Sequence, residues 1–104
     1  MKELDVKYVT ELEAFIFEYG TLVGKYYPAN KDELHIRSIV NTEPNNGDFK
    51  DGFEQIILEF EQSKLFKSLH VVRIHNHAFR SHLTNNWNFS YVSDEEVVRL
   101  NPNL

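Results

Sequence analysis

The stretch Gly52-Phe53-Glu54-Gln55-Ile56-Ile57-Leu58-Glu59-Phe60 decides how the rest of the chain is read. Phe53, Ile56, Ile57 and Phe60 recur at i, i+3, i+4 and i+7, the stripe of a helix with one apolar face. The spacing predicts a helix from about Gly52 to Leu65, and Asp51 with Glu54 three residues on reads as its capping box. Before it, Leu34, Ile36, Ser38 and Val40 alternate with His35, Arg37 and Ile39, a strand pattern. After it, Leu69 to Ile74 is short and rich in β-branched residues, a second strand. A helix between two strands predicts a βαβ unit with parallel strands.

Upstream, Val6 and Tyr8 alternate with charged residues and suggest a first strand. From Leu12 to Tyr19 both alternating sets are apolar: Leu12, Ala14 and Ile16 on one face, Phe15, Phe17 and Tyr19 on the other. Such a strand belongs inside a sheet covered on both sides, and this need for cover predicts a homodimer. Gly20-Thr21 turns the chain, and Leu22 to Tyr27 returns as a hairpin partner ended by Pro28. Asn41 to Asp48 is a loop by composition. Downstream, Ala78 to Thr84 reads as a short helix capped by Asn76 and ended by Asn85-Asn86. Phe89 to Val92 is a last strand, and Ser93 to Glu96 begins a turn or one helical turn before Pro102. The expected fold is α+β over residues 1–104 as a single domain. Its sheet is mixed and mostly antiparallel, with five or six strands and two helices.

Composition narrows the function. The chain has 104 residues, enough for one modest core, and 41% of them are hydrophobic. Cysteine is absent, which excludes disulfides, thiolate nucleophiles and zinc sites built on Cys, and a cytoplasmic location is expected. Net charge is −5 with no Lys/Arg cluster, so no nucleic-acid partner is expected. No run is long and apolar enough for a membrane span, and the N-terminus lacks the apolar core of a signal peptide. Phe15, Phe17, Tyr19, Tyr26 and Tyr27 lack the basic cluster of a single-strand stacking platform and read as core. His75 and His77 would share one face of an extended strand, with His82 near. Helix entry at Asn76-His77 breaks that face, and no metal is expected.

The order strand, strand, strand, loop, helix, strand, helix, strand acquires a family resemblance from its local sequences. Ala14 to Gly24 resembles the hairpin of the GNAT superfamily of N-acetyltransferases, in which the second strand continues as hydrophobic-Val-Gly. Leu34 to Pro44 resembles the strand that leads into that family's pyrophosphate loop, and Gly52 to Leu58 resembles the end of the loop and the start of its helix. Val71 to Asn76 resembles the next strand and its Asn, and Ala78 to Trp87 resembles the segment Ala-x-x-x-Tyr-x-x-x-Gly-Phe. The likeness covers roughly Ala14 to Val92. The chain departs from the family in having no room at Val9-Thr10-Glu11 for the two helices that usually help to wall the acceptor site.

The resemblance implies transfer of an acetyl group from acetyl-CoA, as co-substrate, to an amine on a small molecule or a protein. It assigns the cofactor to Ile39, Val40 and Asn41 at the strand end, to Gly47, Lys50, Asp51, Gly52 and Phe53 in the loop and helix start, and to Asn76. Aligned on Gly52, the loop has Gly47 where the family has Gln or Arg and Lys50 where it has its first Gly, and it carries Asp48 and Asp51. His82 stands at the position of the family's Tyr acid, and His35 and Glu33 are candidate bases on the strand before the loop, with Ser38 beside them. The altered loop and missing helices imply an alternative: a catalytically inactive GNAT-like module that binds another protein, as an inhibitor, antitoxin or immunity-type protein would.

Overall fold

A computed structural model describes residues 2–43 and 47–104. The segment 44–46 of the expected loop lies outside the described residues. Among the described residues seven strands form one sheet: β1 (Asp5–Val9), β2 (Ala14–Tyr19), β3 (Leu22–Pro28), β4 (Glu33–Asn41), β5 (Ser68–Val71), β6 (Ser90–Ser93) and β7 (Glu96–Leu100). Their spatial order is β1-β2-β3-β4-β5-β7-β6. Only β4 and β5 run parallel, and the other five neighbouring pairs are antiparallel. Helix α1 (Asp48–Ser63) joins the parallel pair, and α2 (His77–Asn86) follows β5. The expected α+β class and βαβ unit are present. No helix among the described residues is long and apolar enough to cross a membrane.

The strand count exceeds expectation. The sequence predicts only a turn or one helical turn from Ser93 to Glu96, whereas Glu96 to Leu100 is β7, inserted between β5 and β6. Its Val97-Val98 pair is β-branched, but the acidic run Asp94-Glu95-Glu96 before it resembles a helix start. The structure makes Asp94-Glu95 the two-residue turn of a hairpin instead. The helices are also longer than read. α1 starts at Asp48, one turn before the predicted cap at Asp51, and Asp51 N–H donates to Gly47 O at 3.1 Å as an ordinary helical bond. Leu12 belongs to a 3-10 turn, Thr10–Leu12, and is exposed rather than part of β2.

Both helices pack on one face of the sheet. Phe17, Leu22, Leu34, Ile36, Leu69, Val71 and Val97 point to that side and meet Phe53, Ile56, Ile57 and Phe60 from α1 and Leu83 from α2. Phe53 is fully buried, stacked on Phe49 and edge-on to Trp87. Gly52 lets α1 come close to the sheet, since a Cβ there would lie 2.8 Å from both Leu22 Cδ2 and Tyr19 Cβ. The opposite face carries no helix among the described residues.

One irregularity changes which side chains face which way. Along β3 and β4, Tyr26 pairs with Ile36 but Lys25 pairs with Ser38, so Arg37 is an extra residue in β4. A bulge of this kind bends its strand and shifts the alternation by one. Before it, even-numbered Leu34 and Ile36 face the helices. After it, odd-numbered Ile39 does, packed against the core, while Val40 is exposed. The alternation read from sequence put Ile39 with His35 and is corrected here, because a period-two pattern cannot register an inserted residue.

Candidate functional site

The parallel strands separate beyond the bulge. β4 and β5 are paired from Glu33/Ser68 to Ile36/Val71, and the last rung is Val72 N–H to Ile36 O at 3.0 Å. β4 then runs on to Asn41, while Arg73, in the left-handed region at φ 57°, turns the segment after β5 away. Between them opens a cleft of about 620 Å³ whose lining includes Arg37, Ile39, Asn41, Phe49, Arg73 and Asn76. Arg37 and Arg73 are cations in a chain of net charge −5, and no Asp or Glu among the described residues lines the cleft.

The predicted cofactor residues divide. Ile39, Asn41 and Asn76 line the cleft, and Val40 turns to the other face. Asn76 caps α2, its side-chain oxygen accepting from Ala78 N at 2.9 Å and Phe79 N at 3.2 Å. Gly47 is the left-handed N-cap of α1 (φ 85°), and Lys50 and Asp51 are exposed on the first turns. Gly52 and Phe53 are built into the packing of α1 on the sheet. Asp48 turns away from the helix end. It accepts from Thr21 N at 2.8 Å and Thr21 Oγ1 at 3.0 Å, and from Lys2 Nζ. The Lys2 ammonium, with the Thr21 amide, holds its carboxyl down at about 2.

His82 stands outside the cleft. Its ring is edge-on to Trp87 at 4.9 Å and 5.9 Å from Phe49, which itself lines the cleft, and Asn86 Nδ2 sits 3.0 Å from its Nδ1.

His35 and Glu33 lie on the bare face of the sheet, one residue short of the fork, and the structure joins them to residues the sequence reading missed. Being two apart on a strand, they share that face. The parallel register sets His70 directly beside His35, with ring centroids 4.7 Å apart. His35 Nε2 is 3.1 Å and His70 Nε2 is 3.3 Å from the same Glu33 Oε1. His70 Nδ1 is 2.8 Å from Glu96 Oε2 on β7, and Ser68 Oγ is 2.9 Å from His70 Nε2. The hydrogen bond from His35, then Asn30, keeps the Glu33 carboxyl below the usual carboxylate range. Both imidazoles are mostly covered, with side-chain exposures of 17% and 12%.

A second, shallower hollow of about 320 Å³ is lined by Tyr27, His35, Ser93, Glu95 and Glu96. It shares Val72 and Arg73 with the cleft, so the two cavities meet at the fork. The one sequence signal for His70 was its place inside an otherwise apolar strand, Leu69-His70-Val71-Val72. Glu96 carried none, since its strand was not recognised. Compared with known protein families and with curated proteins, the chain matches none.

Proposed function

We propose that this protein is a small acyltransferase that moves an acetyl group from acetyl-CoA to an amine, as a shortened GNAT-like domain. The observation that carries the reading is the fork: a parallel strand pair, opened by a bulge on one side and a left-handed residue on the other, leaves a cleft with two arginines and no carboxylate among its described lining. Strand edges exposed inside such a cleft offer unpaired N–H and C=O groups to the amides of a pantetheine arm. The arginines suit an anionic ligand, being rigid donors to phosphate.

The second hollow meets the cleft from the bare face and gives an amine a way to the thioester carbon. There the nitrogen attacks, the C–N bond forms, and the C–S bond breaks to release CoA as a thiolate that takes up a proton. His35 is the lining residue suited to accept the amine proton, with Glu33 hydrogen-bonded to its Nε2.

Calorimetry with acetyl-CoA and with CoA tests the reading first. Micromolar binding that weakens in Arg73→Ala supports it, and a free-thiol assay over a panel of amines then follows turnover. The absence of binding at millimolar ligand sinks it. A second reading, the inactive protein-binding module, is favoured by the first turn of α1. Asp51 stands exposed on the turn that a pyrophosphate would approach, and Lys50 is the one cation of that turn. Failure of CoA binding selects that reading.

A further inference from the structure

The bare-face cluster has a geometry that acyl transfer does not require. Glu33, His35 and His70 each offer one donor atom, and the three atoms lie within 4.8 Å of one another. We propose that these three side chains bind one divalent transition-metal ion, with zinc as the best match, and that Glu96 is the outer carboxylate that orients His70. Zinc bonds of about 2.0–2.1 Å at tetrahedral angles set ligand atoms about 3.3 Å apart. The Glu33 oxygen already stands 3.1 Å from His35 Nε2 and 3.3 Å from His70 Nε2.

The tautomer agrees. His70 Nδ1–H donates to Glu96 at 2.8 Å, which leaves the Nε2 lone pair turned toward the Glu33 carboxylate. A carboxylate and an imidazole nitrogen so placed share a cation well, either the proton of a charged His70 or a metal ion in its place. A carboxylate on the far nitrogen of a ligating histidine is also the usual outer partner in zinc sites, because it fixes the ring and raises its basicity. Ser68 gives up its hydrogen bond to His70 Nε2 when the ion arrives. Two nitrogens and one oxygen suit zinc better than calcium or magnesium, which prefer all-oxygen shells. The fourth position opens to the uncovered side of the sheet, where water completes the shell. The exposed His75 and His77 are not part of the group: His75 pairs with Glu95, and His77 starts α2 beside Arg80.

One consequence rests on the acyl-transfer reading. An ion on Nε2 displaces the proton that His35 shares with Glu33 and leaves the ring protonated at Nδ1, so metal occupancy and proton uptake exclude each other, and zinc should silence turnover. Binding itself needs no such premise.

The test uses the untagged full chain, stripped with EDTA and then dialysed against zinc chloride. Elemental analysis should find one zinc per chain, and cobalt in its place should give the strong visible bands of a four-coordinate site. His35→Gln and His70→Gln should each abolish stoichiometric uptake. Glu33→Gln, at the half-exposed rim, should do so with the fold intact by circular dichroism. Glu96→Gln should keep one site and weaken it by about 10–100-fold. The proposal is overturned if the native chain takes up no zinc, or if uptake survives in His35→Gln/His70→Gln or in Glu33→Gln. Failure of CoA binding leaves the zinc stoichiometry to be read on its own, so the two ideas fail separately.

Discussion

The two faces of the sheet are made by the same strands and differ in almost everything else. On β4 and β5, Leu34, Ile36, Leu69 and Val71 point to the helices and are buried. Their immediate neighbours Glu33, His35, Ser68 and His70 point away and form a hydrogen-bonded polar group. Alternation along a strand lets one segment serve both purposes. The covered face gains stability from apolar area removed from water. The bare face holds polar groups that satisfy one another. The cleft lies where this alternation breaks, at Arg37, so the side chains that end the core and those that begin the cleft are adjacent in β4.

This contrast can be broken most sharply on the covered face. Phe60 is 3% exposed in the centre of the α1 packing, and Phe60→Ala should cost about 3–5 kcal/mol in denaturant unfolding. A loss below about 1 kcal/mol would remove Phe60 from the core. Gly52→Ala puts a methyl against Leu22 and Tyr19 at 2.8 Å and should cost about 1–3 kcal/mol, measured the same way. A neutral result would mean that α1 can move off the sheet freely.

On the bare face the cost should be smaller. His70→Gln loses the ring that bridges Ser68 and Glu96 and should destabilise the fold by about 1 kcal/mol. A penalty as large as that of Phe60→Ala would make the cluster a structural keystone and dissolve the division of labour between the faces.

The hairpin-to-helix tie at Asp48 sharpens the comparison by pH. Its carboxyl is lowered from 3.8 to about 2 in the folded chain. A depressed carboxyl stabilises the fold above its unfolded value, and that contribution disappears as pH falls from about 4 to about 2. Asp48→Asn should therefore be less stable than the parent at pH 7 and should converge with it toward pH 2. Parallel acid-unfolding curves would sink the assignment.

The smallest effect is expected at His82. Its ring is exposed on Trp87 and lies outside the cleft, so His82→Phe should change turnover by less than about twofold, against the roughly 10²–10⁴-fold of a general acid. A large fall in kcat with unchanged acetyl-CoA binding would return His82 to the acid role implied by its place in the Ala78 to Trp87 segment.

The sequence by itself determined the periodic elements: α1 from Phe53, Ile56, Ile57 and Phe60, the hairpin about Gly20-Thr21, and the cap at Asn76. Each depends on spacings of a few residues, which a local pattern records. Only the tertiary structure decided the rest. The bulge at Arg37 is invisible in a period-two pattern because it is defined by the partner strand. β7 was hidden because Glu96 to Leu100 becomes a strand by filling the gap between β5 and β6. Glu33, His35, His70 and Glu96 come from three strands that are up to 63 residues apart in the chain, Glu33 to Glu96. What brings them within hydrogen-bond distance is strand register, and register is set by the burial of Leu34, Ile36, Leu69, Val71 and Val97 on the opposite face.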